Sequence, residues 1–119
     1  MTTQETGFLG EEIAAGHLLS QGYDIHERNV RFQKWEIDIV AYDPSEKMMV
    51  FVEVKTRMHH SDRYPIHTAV DRRKWNAMRK AVARWVTKHQ YEGPGRIDVL
   101  CVSGRGVVEH IKDLGSDFY

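Results

Sequence analysis

The segment Met48-Met49-Val50-Phe51-Val52-Glu53-Val54 is apolar at nearly every position. It lacks the period-two alternation of a strand with one wet face, so it is expected to be covered on both sides. Two helical patterns can supply the cover. In 7–20, Ile13, Ala14, Leu18 and either Phe8 or Leu9 recur at three- and four-residue spacing, and Gly22 provides a stop. From Thr68 to Tyr91, Trp75, Met78, Val82, Trp85 and Val86 form a second stripe, which Gly93-Pro94-Gly95 ends.

Further strands are expected over 23–32, Trp35–Tyr42, Arg96–Ser103 and Val107–Lys112, with a turn at Asp43-Pro44-Ser45-Glu46 and a loop over 58–66. The order is helix, three strands, helix, two strands. That order predicts an α/β fold, a three-layer sandwich whose mixed central sheet of about five strands lies between helices. At 119 residues the chain is read as a single domain, 1–119, long enough to bury one core.

The composition excludes several classes. No apolar run approaches the roughly 20 residues of a membrane span. The N-terminus lacks the basic and apolar regions of a secretory signal. A single cysteine, Cys101, sits in an apolar run as a small core residue, so a cytoplasmic protein without an internal disulfide is expected. His59, His60 and His67 lack zinc-ligand spacing. Net charge is zero, yet residues 54–90 hold ten of the 17 Lys and Arg against Asp62 and Asp71 alone. A polarised molecule of this kind can attract phosphate on one face while neutral overall.

The second feature is charge placed on apolar strands, as Glu36-Ile37-Asp38 and Glu53-Val54-Lys55. With a turn centred between Ser45 and Glu46, paired residue numbers sum to 91, so Asp38 faces Glu53 and Glu36 faces Lys55. Alternate residues share a face, which puts all four groups together. Glu36 and Lys55 can form an ion pair. Asp38 and Glu53 cannot, and directly opposed carboxylates need a shared proton or a cation between them. Mg²⁺ or Mn²⁺, held by Asp38, Glu53 and the Val54 carbonyl, meets that need. Lys55 would then orient a water, and Glu11 from the first helix could serve a water or second ion.

Asp38 followed by Glu53-Val54-Lys55 resembles the PD-(D/E)xK motif of restriction-endonuclease-like folds. The resemblance extends through Gly10-Glu11-x-x-Ala14, Gly22-Tyr23, Arg28-Asn29-x-Arg31, Glu36-Ile37-Asp38, Phe51-Val52-Glu53-Val54-Lys55-x-Arg57, Lys74 and Arg96-x-Asp98-Val99. These recur in this order in the YraN-like bacterial protein family, over roughly residues 7–112. The resemblance implies a restriction-endonuclease-like fold similar to archaeal Holliday-junction resolvases, and a metal-dependent endonuclease acting on DNA, branched or junction DNA included. It places Glu11, Asp38, Glu53 and Lys55 at catalytic positions, with Glu36 beside them. A junction cutter needs two sites, which a homodimer would supply. One departure is visible: Trp35 stands where the family usually has glycine, and its indole could narrow the site or offer a stacking surface.

Arg57, Lys74, Arg72 and Arg73 are the candidates for contact with nucleic acid, Lys74 because it matches the family pattern and can reach the site from its helix. The remaining cations of that helix read as a solvated face. Two rivals stand beside the enzyme: a non-catalytic nucleic-acid-binding or adaptor protein on the same fold, and a protein-interaction module whose basic helix meets an acidic partner.

Overall fold

The computed structural model describes residues 2–56 and 70–113, apart from the side chain of Val108. Arg57, the three histidines of 59–67 and the loop expected over 58–66 lie outside the described residues. Helix α1 (Thr3–Ser20) begins four residues before the expected segment 7–20 does, because Thr2 caps it and its Oγ1 accepts from the Glu5 amide at 3.0 Å. Ala14, Ala15 and Leu18 are buried, whereas Phe8 is 66% exposed, so Leu9 is the more inward of the two alternatives.

Strands β1 (Asp24–Phe32), β2 (Trp35–Asp43) and β3 (Met48–Thr56) form an antiparallel meander. Helix α2 (Arg72–His89) then leads to β4 (Gly95–Ser103), parallel to β3, and β5 (Gly106–Ile111) returns antiparallel. α2 starts later than its apolar pattern suggests, because Asp71 is extended and its side chain accepts from the Lys74 amide at 2.8 Å. At the other end Gln90, in the left-handed region at φ 51°, closes the helix.

The described strands form one mixed sheet in the order β1-β2-β3-β4-β5, with a helix packed on each face: the expected three-layer α/β sandwich. As the apolar run demands, β3 is covered on both sides. Val50, Val52 and Val54 pack with Ala14, Ala15 and Leu18 of α1, and Met49 and Phe51 with Trp75, Met78 and Trp85 of α2. Full burial of each such aliphatic or aromatic side chain stabilises by about 1.5–3 kcal/mol. Cys101 is buried in the α2-side core.

α1 approaches the C-terminal end of β3 so closely that only hydrogen fits at Gly10. A Cβ there would lie 1.9 Å from Thr56 Oγ1 and 2.9 Å from its Cβ. Thr56 is β-branched and has few rotamers to offer. Gly10→Ala is therefore expected to cost about 1–3 kcal/mol, read as a lower urea midpoint. Adding Thr56→Ala, which removes Oγ1 but leaves the Cβ, should recover part of it; equal loss in both backgrounds would refute the contact.

Candidate functional site

The β2–β3 hairpin has the predicted register: Asp43–Met48, Ala41–Val50 and Ile39–Val52 are Cα partners, each summing to 91. One step beyond Ile39, the Asp38 carboxylate turns to the neighbouring strand, and its Oδ2 accepts from the Val54 amide at 2.8 Å. Ile37 belongs to the α2-side core and Ile39 to the α1-side core, so strict alternation is broken at Asp38. On β1, between the partners of Ile39 and Ile37, Asn29 has φ 54°. Asparagine tolerates that conformation better than most residues.

Asp38 and Glu53 meet at this break. Glu53 is 6% exposed, and its carboxyl group lies within hydrogen-bond reach of that of Asp38. Burial, reinforced by the Glu53 charge, pushes Asp38 up to about 7, and Glu11 adds to the effect; the Val54 amide works against it. Lys74 Nζ and Lys55 Nζ stand 3.2 and 3.5 Å from Glu53 Oε1, so one carboxylate carries two ammonium neighbours. The reach expected of Lys74 from its helix is present.

Glu11 faces the same space from α1. Its carboxyl is also raised, first by burial; Arg28 and a hydrogen bond from Asn29 oppose the shift, while Glu36 and Glu53 add to it. With its nitrogen turned toward Glu11, the Asn29 amide donates to both carboxylate oxygens, at 2.8 and 3.1 Å. Arg28 Nη1 meets Glu12 at 2.6 Å. Glu36 is exposed and its carboxylate pairs with Arg31 across the β1–β2 ladder, so the Glu36–Lys55 ion pair suggested by register gives way to Glu36–Arg31 and Lys55–Glu53.

Two acids and a lysine thus come together from β2 and β3, with Glu11 and Lys74 joining from opposite helices. Arg72 and Arg73 lie elsewhere, lining a cleft with Lys34 and Trp35. Among the described residues, no three His, Cys, Asp or Glu side chains form a metal cage. Asp38, Glu53 and the Val54 carbonyl are nevertheless hard oxygen donors, and Mg²⁺ takes one or two carboxylates and keeps several waters. They can hold such an ion.

Asn29 was assigned no role by sequence reasoning. Asparagine in a strand, next to an arginine and opposite an acidic strand, was the available signal. A second buried cluster also went unassigned: Arg96, Asp98, Asp43, Tyr23 and His110 are linked by hydrogen bonds on the α1 side of the sheet. Charged residues inside the apolar run Ile97–Val102 and at its start were the clue.

Similarity to known proteins agrees with the motif pattern. The chain is 42% identical over 113 residues to a UPF0102 protein of Pelobacter propionicus, covering 91% of this chain and 80% of that one. It is 40% identical over 113 residues to a UPF0102 protein of Trichlorobacter lovleyi, with 91% and 87% covered. A UPF0102 protein of an Arthrobacter species is 39% identical over 114 residues, with 92% and 94% covered. The family model described as "Uncharacterised protein family UPF0102" matches residues 10–102, which contain Glu11, Asn29, Asp38, Glu53, Lys55 and Lys74. The chain belongs to the UPF0102 family, the YraN-like family its motifs resemble.

Proposed function

We propose that this protein is a Mg²⁺- or Mn²⁺-dependent endonuclease that hydrolyses DNA phosphodiester bonds, branched or junction DNA among them. The observation that carries this reading is the Asp38–Glu53 pair: a half-buried and a buried carboxyl group lie side by side, where a divalent cation would satisfy both. Held by Asp38, Glu53 and the Val54 carbonyl, that cation would supply Lewis acidity toward the phosphate and lower the pKa of a bound water.

The chain's own groups do the positioning. The Val54 amide fixes the Asp38 carboxylate between the strands. Lys55, beside Glu53, orients the attacking water and offsets charge on the phosphate. Glu11, whose raised carboxyl holds a proton more readily than an exposed glutamate, exchanges it with a water at the α1 side. Two such sites in a homodimer would suit a four-way junction.

The Lys74–Glu53 ion pair favours a second reading, a DNA-binding protein without turnover, because it neutralises Glu53 from within the chain. One assay separates the two. Single strands, duplexes, flaps and four-way junctions are incubated with Mg²⁺ or Mn²⁺, with Asp38→Asn purified in parallel. The endonuclease reading expects cleavage of at least one DNA by the wild type and none by the variant. Equal cleavage by both, or binding without cleavage by either, overturns it. No helix among the described residues is long and apolar enough to cross a membrane.

A further inference from the structure

α2 carries Arg72, Arg73, Lys74, Arg79, Lys80, Arg84 and Lys88 and no aspartate or glutamate. Like charges four residues apart on a helix repel. Lys80, Arg84 and Lys88 nonetheless follow one another at that spacing, each step about 6 Å along the axis. They run beside two aromatic rings of the β1–β2 hairpin. Lys80 and Arg84 each lie 5.4 Å from the Trp35 ring centre, Lys34 lies 5.9 Å from it, and Lys88 lies 5.9 Å from that of Phe32.

One cation over an indole is ordinary and contributes about 0.5–1 kcal/mol at an exposed site. Three around a single ring repel one another. Among the described residues, none of Lys34, Arg73, Lys80 and Arg84 has a carboxylate partner. The arrangement is one that an arriving anion would relieve. Trp35 is half-buried, packed against the core, and lines a cleft of about 600 Å³ with Lys34, Arg72, Arg73, Asn76, Ala77 and Lys80. That volume lies within the roughly 300–1,000 Å³ of small-ligand sites.

We infer that this cleft is a subsite for an unpaired nucleotide of the DNA strand, its base stacked on Trp35 and its flanking phosphates held by Lys34, Lys80 and Arg84. Cations lining a groove with an aromatic platform are what a single strand requires, because every base has a π-face and every linkage a charge. A base still paired in a duplex cannot present that face. The position suits the proposed endonuclease, on which this inference rests for its place beside the scissile bond. Trp35 precedes Glu36 on β2, and Arg73 precedes Lys74, whose ammonium touches Glu53.

The test is binding of a fluorescein-labelled oligo(dT) in EDTA, followed by anisotropy, so that cleavage plays no part in the readout. Trp35→Leu keeps apolar packing and removes the stacking ring; Trp35→Phe restores a ring. Affinity should fall about tenfold in Trp35→Leu and largely recover in Trp35→Phe. A strand of abasic sites of the same length should bind wild type and Trp35→Leu alike. Lys80→Ala should lower the slope of log affinity against log salt by about one. Unchanged oligo(dT) affinity in Trp35→Leu, or an equal loss on the abasic strand, overturns the subsite. A chain that cleaves no DNA with either metal, yet shows the Trp35 effect, refutes the endonuclease while the subsite stands.

Discussion

Asp38→Asn is expected to stabilise the metal-free protein at pH 8 by on the order of 2–4 kcal/mol while removing cleavage. The sign follows from the carboxyl being raised from 3.8 to about 7, first by burial and then by Glu53. Between those values the folded chain keeps a proton that the unfolded chain has released. Stability from that proton is fully present below about pH 3.8 and is lost as pH rises through about 7. The interval corresponds to roughly 4 kcal/mol. An asparagine oxygen can still accept from the Val54 amide, and its nitrogen can donate to Glu53 as a protonated Asp38 would. It reproduces the protonated pair without a charge to bury.

Thermal unfolding from pH 4 to pH 8 checks this. The wild type should lose several degrees relative to the variant across that range. Mg²⁺ at pH 8 should restore them to the wild type alone, because a ligand that binds the folded state stabilises it. Parallel pH profiles for the two proteins would show that Asp38 is not strained. A Mg²⁺ response that survives the substitution would place the ion elsewhere.

The hairpin that builds this pair was legible because its turn is local. Asp43 Oδ1 accepts from the amides of Ser45 and Glu46 at 3.0 and 3.3 Å, and Lys47 takes φ 56°. A turn closed by its own residues fixes the register, and the register brings the acids together. β3 was legible for another reason: a run apolar on both parities has few places to go but the middle of a sandwich. The break at Asp38 was not legible. It depends on Asn29 adopting a positive φ on the neighbouring strand, and on two isoleucines joining different cores. Glu36 consequently pairs with Arg31, a partner that a two-strand register does not contain. The late start of α2 reflects the same limit in miniature: apolar periodicity continues past a boundary that one capping aspartate decides.

The largest loss of stability should come from a residue remote from these acids. Arg96 pairs in register with Val50 on β3, whereas Glu53 pairs with Val99, three residues further along. The Arg96 guanidinium is buried and forked: Nε donates to both Asp98 oxygens at 3.0 and 3.2 Å, Nη1 to Asp43 at 3.0 Å and Nη2 to Tyr23 at 2.7 Å. Asp98 is fully buried and also meets His110 at 2.7 Å and the Asp113 amide at 2.9 Å. Burial pushes the Asp43 carboxyl up, but Arg96 and the turn amides of Glu46 and Ser45 hold it below its usual value. Arg96→Met keeps the bulk and removes the charge, leaving two buried carboxylates without their cation. Breaking a buried pair in this way costs about 3–5 kcal/mol, and urea unfolding at pH 7 should show a loss of that size. Arg96→Lys should recover only part, because an ammonium cannot span both acids and the tyrosine as a planar fork does. In the wild type, stability drawn from Asp43 is present above about pH 3.8 and is lost as pH falls through its depressed value. Without Arg96 that acid-side loss should shrink, so the stability gap between wild type and Arg96→Met narrows toward low pH. A loss below about 1 kcal/mol at pH 7, the scale of an exposed ion pair, would mean that solvent reaches these carboxylates when Arg96 is gone.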